Sequence, residues 1–182
     1  MNIPKHAIFQ NAWVVDDLEA AALAWVEAFN LGPFFLGDYG PEVFSDMTFR
    51  GKPVEGNMRA AIAQAGPIQV ELIQPLTEDN NAYRHTVKKG QTAMHHMAYW
   101  CIDIDAELAT YEARSFEINT LGVNAQVDAR FAYVDTHDQL SCMIELLEYN
   151  EELKGYFDMI AEAAANWDRS DPLRYISQQE SC

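Results

Sequence analysis

Cysteine is scarce in this sequence, and its spacing excludes the sites that cysteines usually build. The three cysteines are Cys101, Cys142 and Cys182, and no two of them have the short spacing of a metal-binding or redox pair. Their odd number does not indicate the disulfide framework of a small secreted protein. We therefore expect reduced thiols in a cytoplasmic protein.

Long apolar runs are also missing. No segment approaches the roughly 20 consecutive apolar residues that a transmembrane helix needs. The first residues of the chain lack the apolar stretch of a signal peptide. We expect no membrane partner.

Basic residues are few, since 12 Lys and Arg stand against 28 Asp and Glu, for a net charge of −16 at pH 7. A nucleic-acid-binding protein needs a basic surface to displace counterions, so that class is excluded. Hydrophobic residues, in contrast, make up 49% of the chain and aromatic residues 12%. This supply suffices for the core of one ordinary domain or of two small modules, and it excludes global disorder.

The hydrophobic pattern predicts an α+β protein in which one order of elements occurs twice. Period-2 segments rich in β-branched and aromatic residues indicate strands, and segments with apolar residues three and four apart indicate helices. In the first half we predict a strand at 7–15, a helix that starts at Asp16, and strands near 34–37, 44–49, 57–65 and 68–74. In the second half we predict a strand at 94–102, a helix at 104–115, strands near 117–124, 129–135 and 141–148, and a last helix at 151–167 capped by Asn150.

The two halves also match residue by residue, which indicates an internal repeat. An offset of 86 carries Gln10 to His96 and Asp17 to Asp103. At the end of each half, 70–74 resembles 144–148 with an offset of 74, which implies about a dozen extra residues in the first half, within 38–56. We predict a first module at 6–75, a linker at 76–93, a second module at 94–149, and a C-terminal helix and tail at 150–182.

Four polar residues lie in the middle of apolar strands, at equivalent places in the two halves. They are Gln10, Glu71, His96 and Glu145. A single strand glutamate usually faces solvent, and a single histidine is usually packed or on the surface. Four together suggest convergence on one divalent cation, because a buried carboxylate needs a partner or a cation. His95 belongs to the opposite face of its strand by alternation, so we expect a structural role for it.

The residues at 10–21 and 95–103 look like the opening strands of the two modules of a known family, and 70–75 and 144–148 look like its closing strands. Over about 6–149 the chain resembles the vicinal oxygen chelate superfamily. This group includes glyoxalase I, methylmalonyl-CoA epimerase, bleomycin-resistance proteins and extradiol dioxygenases. The resemblance is nearest to glyoxalase I and to the epimerases, and it implies two βαβββ modules that form an open cup-shaped sheet, usually in a homodimer. The C-terminal helix is an addition to that fold.

The resemblance also implies roles for the four polar residues. Gln10, Glu71, His96 and Glu145 match the family's metal positions, and their combination resembles the animal type of glyoxalase I; the metal (Zn, Ni, Co, Mn, Fe or Mg) is not distinguished. In glyoxalase-like members a glutamate ligand detaches to act as base, which makes Glu145 the first candidate and Glu71 the second. Ring-cleaving dioxygenases need two histidines and one carboxylate. This sequence has Gln and Glu where a second His is needed, which argues against oxygenase chemistry.

The expected function is that of a metal-dependent isomerase, epimerase or lyase that removes a proton next to a metal-bound carbonyl. Aromatic residues, with Trp100, Phe34, Tyr83 and Tyr133 as candidates, suit a small apolar substrate. Glutathione needs cationic partners, and residues 10–37 contain no Lys or Arg. A coenzyme A thioester needs basic residues at the mouth, for which the candidates are Arg59, Arg84, Lys88 and Lys89.

Two other functions stay open. A ligand-sequestering protein of the bleomycin-resistance kind would bind without turnover, and an Fe(II) dioxygenase would consume oxygen. The last helix either closes the cup or packs on a second subunit, and ordinary core packing is the simplest role for it.

Overall fold

Eleven strands form one sheet in the computed structural model of the chain, which describes residues 6–78 and 81–176. The strands are β1 (Ile8–Val14), β2 (Phe34–Tyr39), β3 (Phe44–Phe49), β4 (Lys52–Pro53), β5 (Met58–Ala65), β6 (Ile68–Pro75), β7 (Ala93–Cys101), β8 (Glu117–Asn124), β9 (Ala129–Asp135), β10 (Met143–Glu148) and β11 (Leu173–Tyr175). The helices are α1 (Leu18–Phe29), α2 (Ala82–Thr86), α3 (Ile104–Glu112), α4 (His137–Leu140) and α5 (Glu151–Ala165). The predicted α+β class is confirmed.

The order of the strands shows how the two halves meet. Across the sheet it is β11-β2-β5-β6-β1-β7-β10-β9-β8-β3-β4. At the centre, β1 pairs antiparallel with β7, while β1 runs parallel to β6 and β7 runs parallel to β10. Each half thus places its first strand beside its last, as an internal repeat requires. We propose that 6–75 and 94–149 are the two modules, joined along β1 and β7.

The segment at 38–56, where the sequence predicts extra residues, contains the hairpin of β3 and β4. This hairpin does not stay with its own half. Instead, β3 pairs antiparallel with β8, which carries the first half of the chain across to the far edge of the second. At the other edge, β11 pairs parallel with β2, in a tail for which the sequence suggests no element.

Helices α1 and α3 begin with the same cap, as the repeat predicts. The Asp17 carboxylate accepts a hydrogen bond from the Ala20 backbone N–H at 3.0 Å, and Asp103 accepts one from Ala106 at the same distance. A short polar side chain in this place satisfies one of the free N–H groups of the first turn. The predicted start of α1 at Asp16 is therefore wrong by one residue. The Asp16 carboxylate instead binds the guanidinium of Arg84 at 2.8 Å.

Strand alternation sorts the apolar residues into an outer and an inner layer. In β6, Val70 and Leu72 pack outward against the elements around α1. Ile73 faces inward, into a cluster that also contains Tyr133 and Leu147. The inner face of the sheet therefore encloses the space in which the polar residues of the middle strands can meet.

Two of the three cysteines lie within the described residues, and the lengths of the helices bear on the question of membrane spans. Cys101 and Cys142 are buried free thiols, and burial raises the pKa of each. Cys182 lies outside the described residues. Across residues 6–78 and 81–176, no helix has the length and apolar character to cross a bilayer.

Candidate metal and substrate site

The four central strands bring the four predicted polar residues together on the inner face. Gln10 lies on β1, Glu71 on β6, His96 on β7 and Glu145 on β10. The registers place Ala12 opposite both Glu71 and His96, and they place Ala98 opposite both Gln10 and Glu145. His96 is 0% exposed, Gln10 3% and Glu145 8%, so these polar groups are removed from bulk water.

The two carboxylates converge on one nitrogen of His96. The Nε2 atom lies 3.2 Å from the Glu145 Oε2 atom and 3.4 Å from the Glu71 Oε2 atom. Burial by itself lowers the pKa of His96, but Glu145 and Glu71 outweigh it and raise this pKa to about 9. Burial also raises the pKa of Glu71, with a smaller contribution from the charge of Glu145, although His96 opposes this rise. In the absence of a metal, an imidazolium therefore balances part of the buried negative charge at neutral pH.

Whether a divalent cation fits these residues can be judged from their donor atoms and spacing. Among the described residues, no group of three or more His, Cys, Asp or Glu side chains is already arranged as a metal site. The His96 Nε2 atom is nevertheless buried without an aligned hydrogen bond. Its distances to the two carboxylates are those between neighbouring ligands, because ligand atoms about 2.0–2.2 Å from a metal lie roughly 3 Å from one another. The donor set of imidazole, carboxylates and amide suits a divalent ion.

A second amide orients Gln10. The Gln10 Nε2 group donates a hydrogen bond to the Gln69 Oε1 atom at 3.3 Å, and both side chains are buried. With its N–H group engaged in this way, Gln10 has its carbonyl oxygen left as the atom for a ligand in the cavity. Gln69 lies two residues before Glu71 on β6, so strand alternation places both side chains on the same face and is the signal in the sequence that points to Gln69.

The expectation that His95 faces away from His96 is wrong. The pairing of β1 with β7 shifts between Ala12 and Trp13, which leaves His95 as an extra residue in a bulge. Its ring consequently turns to the inner side, where the His95 Nδ1 atom lies 2.9 Å from the His96 Nδ1 atom. Burial, and next the charge on His96, lower the pKa of His95 well below its ordinary value, so His95 is neutral. Only one of the two histidines turns its Nε2 atom toward the carboxylates.

Three of the four polar residues border a cavity of about 420 Å³, within the range of small-molecule sites, whereas the fully buried His96 is not part of its lining. Gln10, Glu71, Glu145, Tyr83 and Tyr133 all line it. The hydroxyl oxygens of Tyr83 and Tyr133 are 3.4 Å apart, and burial raises the pKa of both phenols. The two tyrosines are therefore neutral hydrogen-bond donors beside the carboxylates.

Two residues predicted to contact substrate do not line this cavity. Phe34 is fully buried on the outer side of the sheet, in the cluster that contains Leu18 and Leu36, so the sequence assigned it to the wrong layer. Trp100 does lie on the inner side, but Phe9 stacks on its ring at 4.7 Å and Phe157 lies 5.7 Å away. Trp100 thus supports the wall from behind.

Other parts of the wall come from segments that sequence reasoning did not assign to the site. Tyr39 and Phe44 flank the connection from β2 to β3, and Tyr156 and Leu153 come from α5. The signal for α5 is present in the sequence as an apolar stripe, but the stripe does not reveal which surface it covers. Burial raises the pKa of Tyr39 to about 12. The β2–β3 connection and the last helix therefore both contribute aromatic side chains to the wall.

Comparison with known proteins gives one family. The model of the Glyoxalase/Bleomycin resistance protein/Dioxygenase superfamily matches residues 9–133, which is more than half of the chain and includes three of the four polar residues. This match confirms the resemblance found in the sequence. The uncharacterized protein YqjC of Bacillus subtilis (strain 168) is 28% identical over 98 residues, which span 52% of this chain and 67% of that protein.

Solved structures share the fold at low identity. The hypothetical protein BH1468 from Bacillus halodurans C-125 superposes with a TM-score of 0.59 at 16% identity, over 80% of this chain and 95% of its own. The methylmalonyl-CoA epimerase from Mycobacterium tuberculosis gives a TM-score of 0.53 at 16% identity, over 81% and 91%. These similarities establish the architecture of the sheet and nothing about the substrate.

Proposed function

The chain belongs to the glyoxalase/bleomycin resistance protein/dioxygenase superfamily, and from this premise we propose that it is a divalent-metal-dependent isomerase or epimerase. Its reaction removes a proton from the carbon next to a carbonyl group and returns a proton to the same substrate. The substrate is a small carbonyl compound, either apolar or a thioester.

The convergence of Glu71 and Glu145, which line one cavity, on the buried imidazole of His96 carries this proposal. Two carboxylates from different strands border the space that a substrate would occupy. One can accept the proton while the other returns one, which is what an isomerase or epimerase requires. The C–H bond breaks, its electron pair stays in the enolate, and the proton moves to a carboxylate oxygen. We assign Glu145 as the base and Glu71 as the second carboxylate.

The groups that would hold the cation are the Gln10 Oε1 atom, the His96 Nε2 atom and the carboxylates of Glu71 and Glu145. When bound, a divalent cation polarises a carbonyl oxygen and so acidifies the neighbouring C–H bond. Tyr83 and Tyr133 orient the substrate by donating hydrogen bonds to its oxygen atoms. The aromatic wall excludes water from the carbon that loses its proton.

The imidazoles near the cavity do not favour an oxygenase. A two-histidine, one-carboxylate site needs two imidazole nitrogens directed at the metal. The Nδ1 atom of His95 instead contacts the Nδ1 atom of His96, and only the His96 Nε2 atom faces the carboxylates. His95 therefore does not replace the missing second histidine ligand.

Metal binding is the first test. Titration of the metal-free protein with Ni²⁺ or Zn²⁺, followed by calorimetry, should show one site per chain. His96→Gln should weaken this binding at least tenfold, because the variant lacks the imidazole ligand. Glu162→Gln, an exposed change on α5, is the matched control and should bind like the wild type. Equal affinity in His96→Gln and the wild type would contradict the proposed ligands.

Exchange of the substrate proton is the second test. In D₂O, the metal-loaded protein should incorporate deuterium next to the carbonyl of benzoin or of propionyl-CoA, as followed by proton NMR. Glu145→Gln should slow this exchange roughly 10²–10⁴-fold, as loss of a general base does, while Glu162→Gln should not change it. Tight binding of a probe without exchange in the wild type would favour a sequestering protein instead.

A further inference from the structure

Helix α5 covers the cup that the sheet forms. Leu153, Tyr156 and Phe157 line the cavity from this helix. The start of α5 is attached to the rest of the protein, because the Asn150 side chain donates a hydrogen bond to the Val127 carbonyl at 2.7 Å and accepts hydrogen bonds from the first turn of the helix. The substrate space is therefore a partly enclosed pocket that stays open to solvent on one side, which forms its mouth.

The exposed residues of the lining mark this mouth. They include Asp38 from β2, Gln126 from the turn after β8, and Glu152 from the first turn of α5. A ligand too long for the cavity would extend past such exposed side chains. Two of the three named residues carry carboxylates, and that of Asp38 is paired with Arg59 at 3.0 Å.

The walls are aromatic and the charges are all of one sign. Seven rings from the described residues line the cavity, those of Tyr39, Phe44, Tyr83, Phe131, Tyr133, Tyr156 and Phe157. The charged lining residues are Glu71 and Glu145 inside and Asp38 and Glu152 at the mouth. Among the described residues, no Lys or Arg lines the cavity.

The basic residues considered for a coenzyme A ligand are each engaged by carboxylates or backbone carbonyls of the protein. Arg59 binds both carboxylate oxygens of Glu19 and also Asp38, with Nη2 2.6 Å from the Glu19 Oε1 atom. Arg84 is buried and binds Asp16. The Lys89 Nζ atom lies 2.9 Å from Glu78. The Lys88 Nζ group donates to two backbone carbonyls of the α2 region.

We infer that the pocket takes an uncharged, largely aromatic carbonyl compound and rejects coenzyme A thioesters and other polyanions. This inference rests on the proposed function for the reacting carbonyl. It rests on the aromatic and acidic lining for the rest of the ligand. The phosphates of coenzyme A would meet the carboxylates of Asp38 and Glu152 at the mouth, where the nearby cation, Arg59, is already bound to Asp38 and Glu19.

Three probes separate charge from size and chemistry. Benzoin is uncharged and aromatic, propionyl-CoA carries the phosphates, and the N-acetylcysteamine thioester of propionate has the same acyl group as propionyl-CoA without them. Calorimetry on the metal-loaded protein at low salt should show benzoin and the short thioester binding at least tenfold more tightly than propionyl-CoA. Higher salt should reduce this difference in affinity, because it screens the repulsion between the phosphates and the carboxylates at the mouth. Propionyl-CoA binding as tightly as the short thioester would overturn the inference.

Charge reversal at the mouth tests the location of the repulsion. Glu152→Lys should tighten propionyl-CoA binding at least threefold. Glu162→Lys makes the same charge change farther along α5 and should leave that affinity unchanged. Gln126→Lys is a second mouth variant that does not alter the first turn of the helix, and it should act like Glu152→Lys. Equal effects of Glu152→Lys and Glu162→Lys would assign the repulsion to net charge and contradict a selective mouth.

These measurements can fail independently of the proposed catalysis. They record binding without turnover, and they can be repeated in Glu145→Gln, in which exchange should be slow. Selective binding of uncharged probes without deuterium exchange would overturn the isomerase and leave the ligand class standing. Exchange of propionyl-CoA at full rate, with tight binding, would overturn the ligand class and leave the isomerase standing.

Discussion

His96 is surrounded by groups that determine which of its nitrogens carries hydrogen. Its Nε2 side faces two carboxylates, and its Nδ1 atom faces the Nδ1 atom of His95 at 2.9 Å. A hydrogen bond between the two Nδ1 atoms needs one of them as donor and the other as acceptor. An imidazolium carries hydrogen on both nitrogens, and a His96 that binds a metal through Nε2 keeps its hydrogen on Nδ1. In both states the His96 Nδ1–H group donates, and the Nδ1 atom of the neutral His95 accepts. His95 thereby holds the orientation of the His96 ring.

The role of His95 as a hydrogen-bond acceptor can be tested by substitution. His95→Phe removes the buried acceptor and should lower the free energy of unfolding by about 1–3 kcal/mol, the usual cost of an unsatisfied buried group. His95→Asn keeps an acceptor near the Nδ1 position and should recover part of the loss. Urea unfolding gives these energies, and ¹⁵N NMR of the imidazoles should show a protonated His96 Nδ1 atom. An unprotonated His96 Nδ1 atom would contradict the assignment.

Single residues also show where strand alternation is a reliable guide. Alternation assigns Glu71 to the inner face of β6 and Val70 to the outer face, and the structure agrees. It fails for His95, because one extra residue in β7 changes the face of every residue on one side of the bulge. A bulge depends on how two strands pair, so the sequence of one strand does not reveal it.

At the scale of elements, α5 makes the difference between an open cup and a pocket. Phe157 is buried between Phe9, with ring centroids 5.8 Å apart, and Trp100, at 5.7 Å. Ile160 is fully buried on the same stripe, while Asp158 and Glu162 face solvent. The helix was predicted from this stripe, and its cap at Asn150 is confirmed. Its place over the cup depends on residues far away in the chain.

Phe157 provides the test at this scale. Phe157→Ala should lower the free energy of unfolding by about 3–5 kcal/mol, because it leaves a cavity beside two aromatic rings. Phe157→Leu retains most of the apolar contact and should cost less. Glu162→Ala, on the exposed side of the same helix, should stay within about 0.5 kcal/mol of the wild type in urea unfolding. A loss in Phe157→Ala no greater than in Glu162→Ala would show that α5 is not packed on the cup.

Across the whole protein, the acidic residues that cause the net negative charge lie in different structural environments. Several carboxylates are paired with arginines that join distant elements. Arg59 binds Glu19 and Arg130 binds Glu148, and the pKa of each glutamate is lowered, chiefly by its arginine. A lowered pKa means that folding favours the ionised carboxylate. These pairs contribute stability above the unfolded pKa of about 4.5, and the contribution is lost as the pH falls through the folded pKa.

We therefore expect the stabilising contribution of these pairs to be nearly constant from pH 7 to about pH 5.5 and to fall at lower pH, and comparison of an arginine variant with the wild type separates it from the effects of the buried histidines. Arg130→Gln removes the two hydrogen bonds to Glu148, each 2.8 Å long, and should lower stability most at neutral pH. Its difference from the wild type should shrink below about pH 4.5, as Glu148 becomes protonated in both proteins. A difference that stays constant down to pH 3 would contradict this role of the pair. The homodimer implied by the resemblance to the superfamily remains a prediction.

Much of the fold could be predicted because the signals are local. The strands β8 and β9 have the predicted bounds, and Asp17 and Asp103 cap equivalent helices. Periodicity within one strand, together with the repeat, identifies Gln10, Glu71, His96 and Glu145 as members of one group. These features depend on residues a few positions apart, where backbone geometry relates sequence directly to direction.

Which surfaces these elements share depends on how the whole chain folds. The bulge at His95, the pairing of β3 with β8 and the place of α5 over the cup all depend on contacts between residues far apart in sequence. The positions of the acidic residues relative to the cavity also depend on folding. The sequence shows 28 acidic and 12 basic residues, but only the folded chain shows that four carboxylates line the cavity and that none of the described lysines and arginines does. Charge acts through distance in space, and chain folding sets that distance.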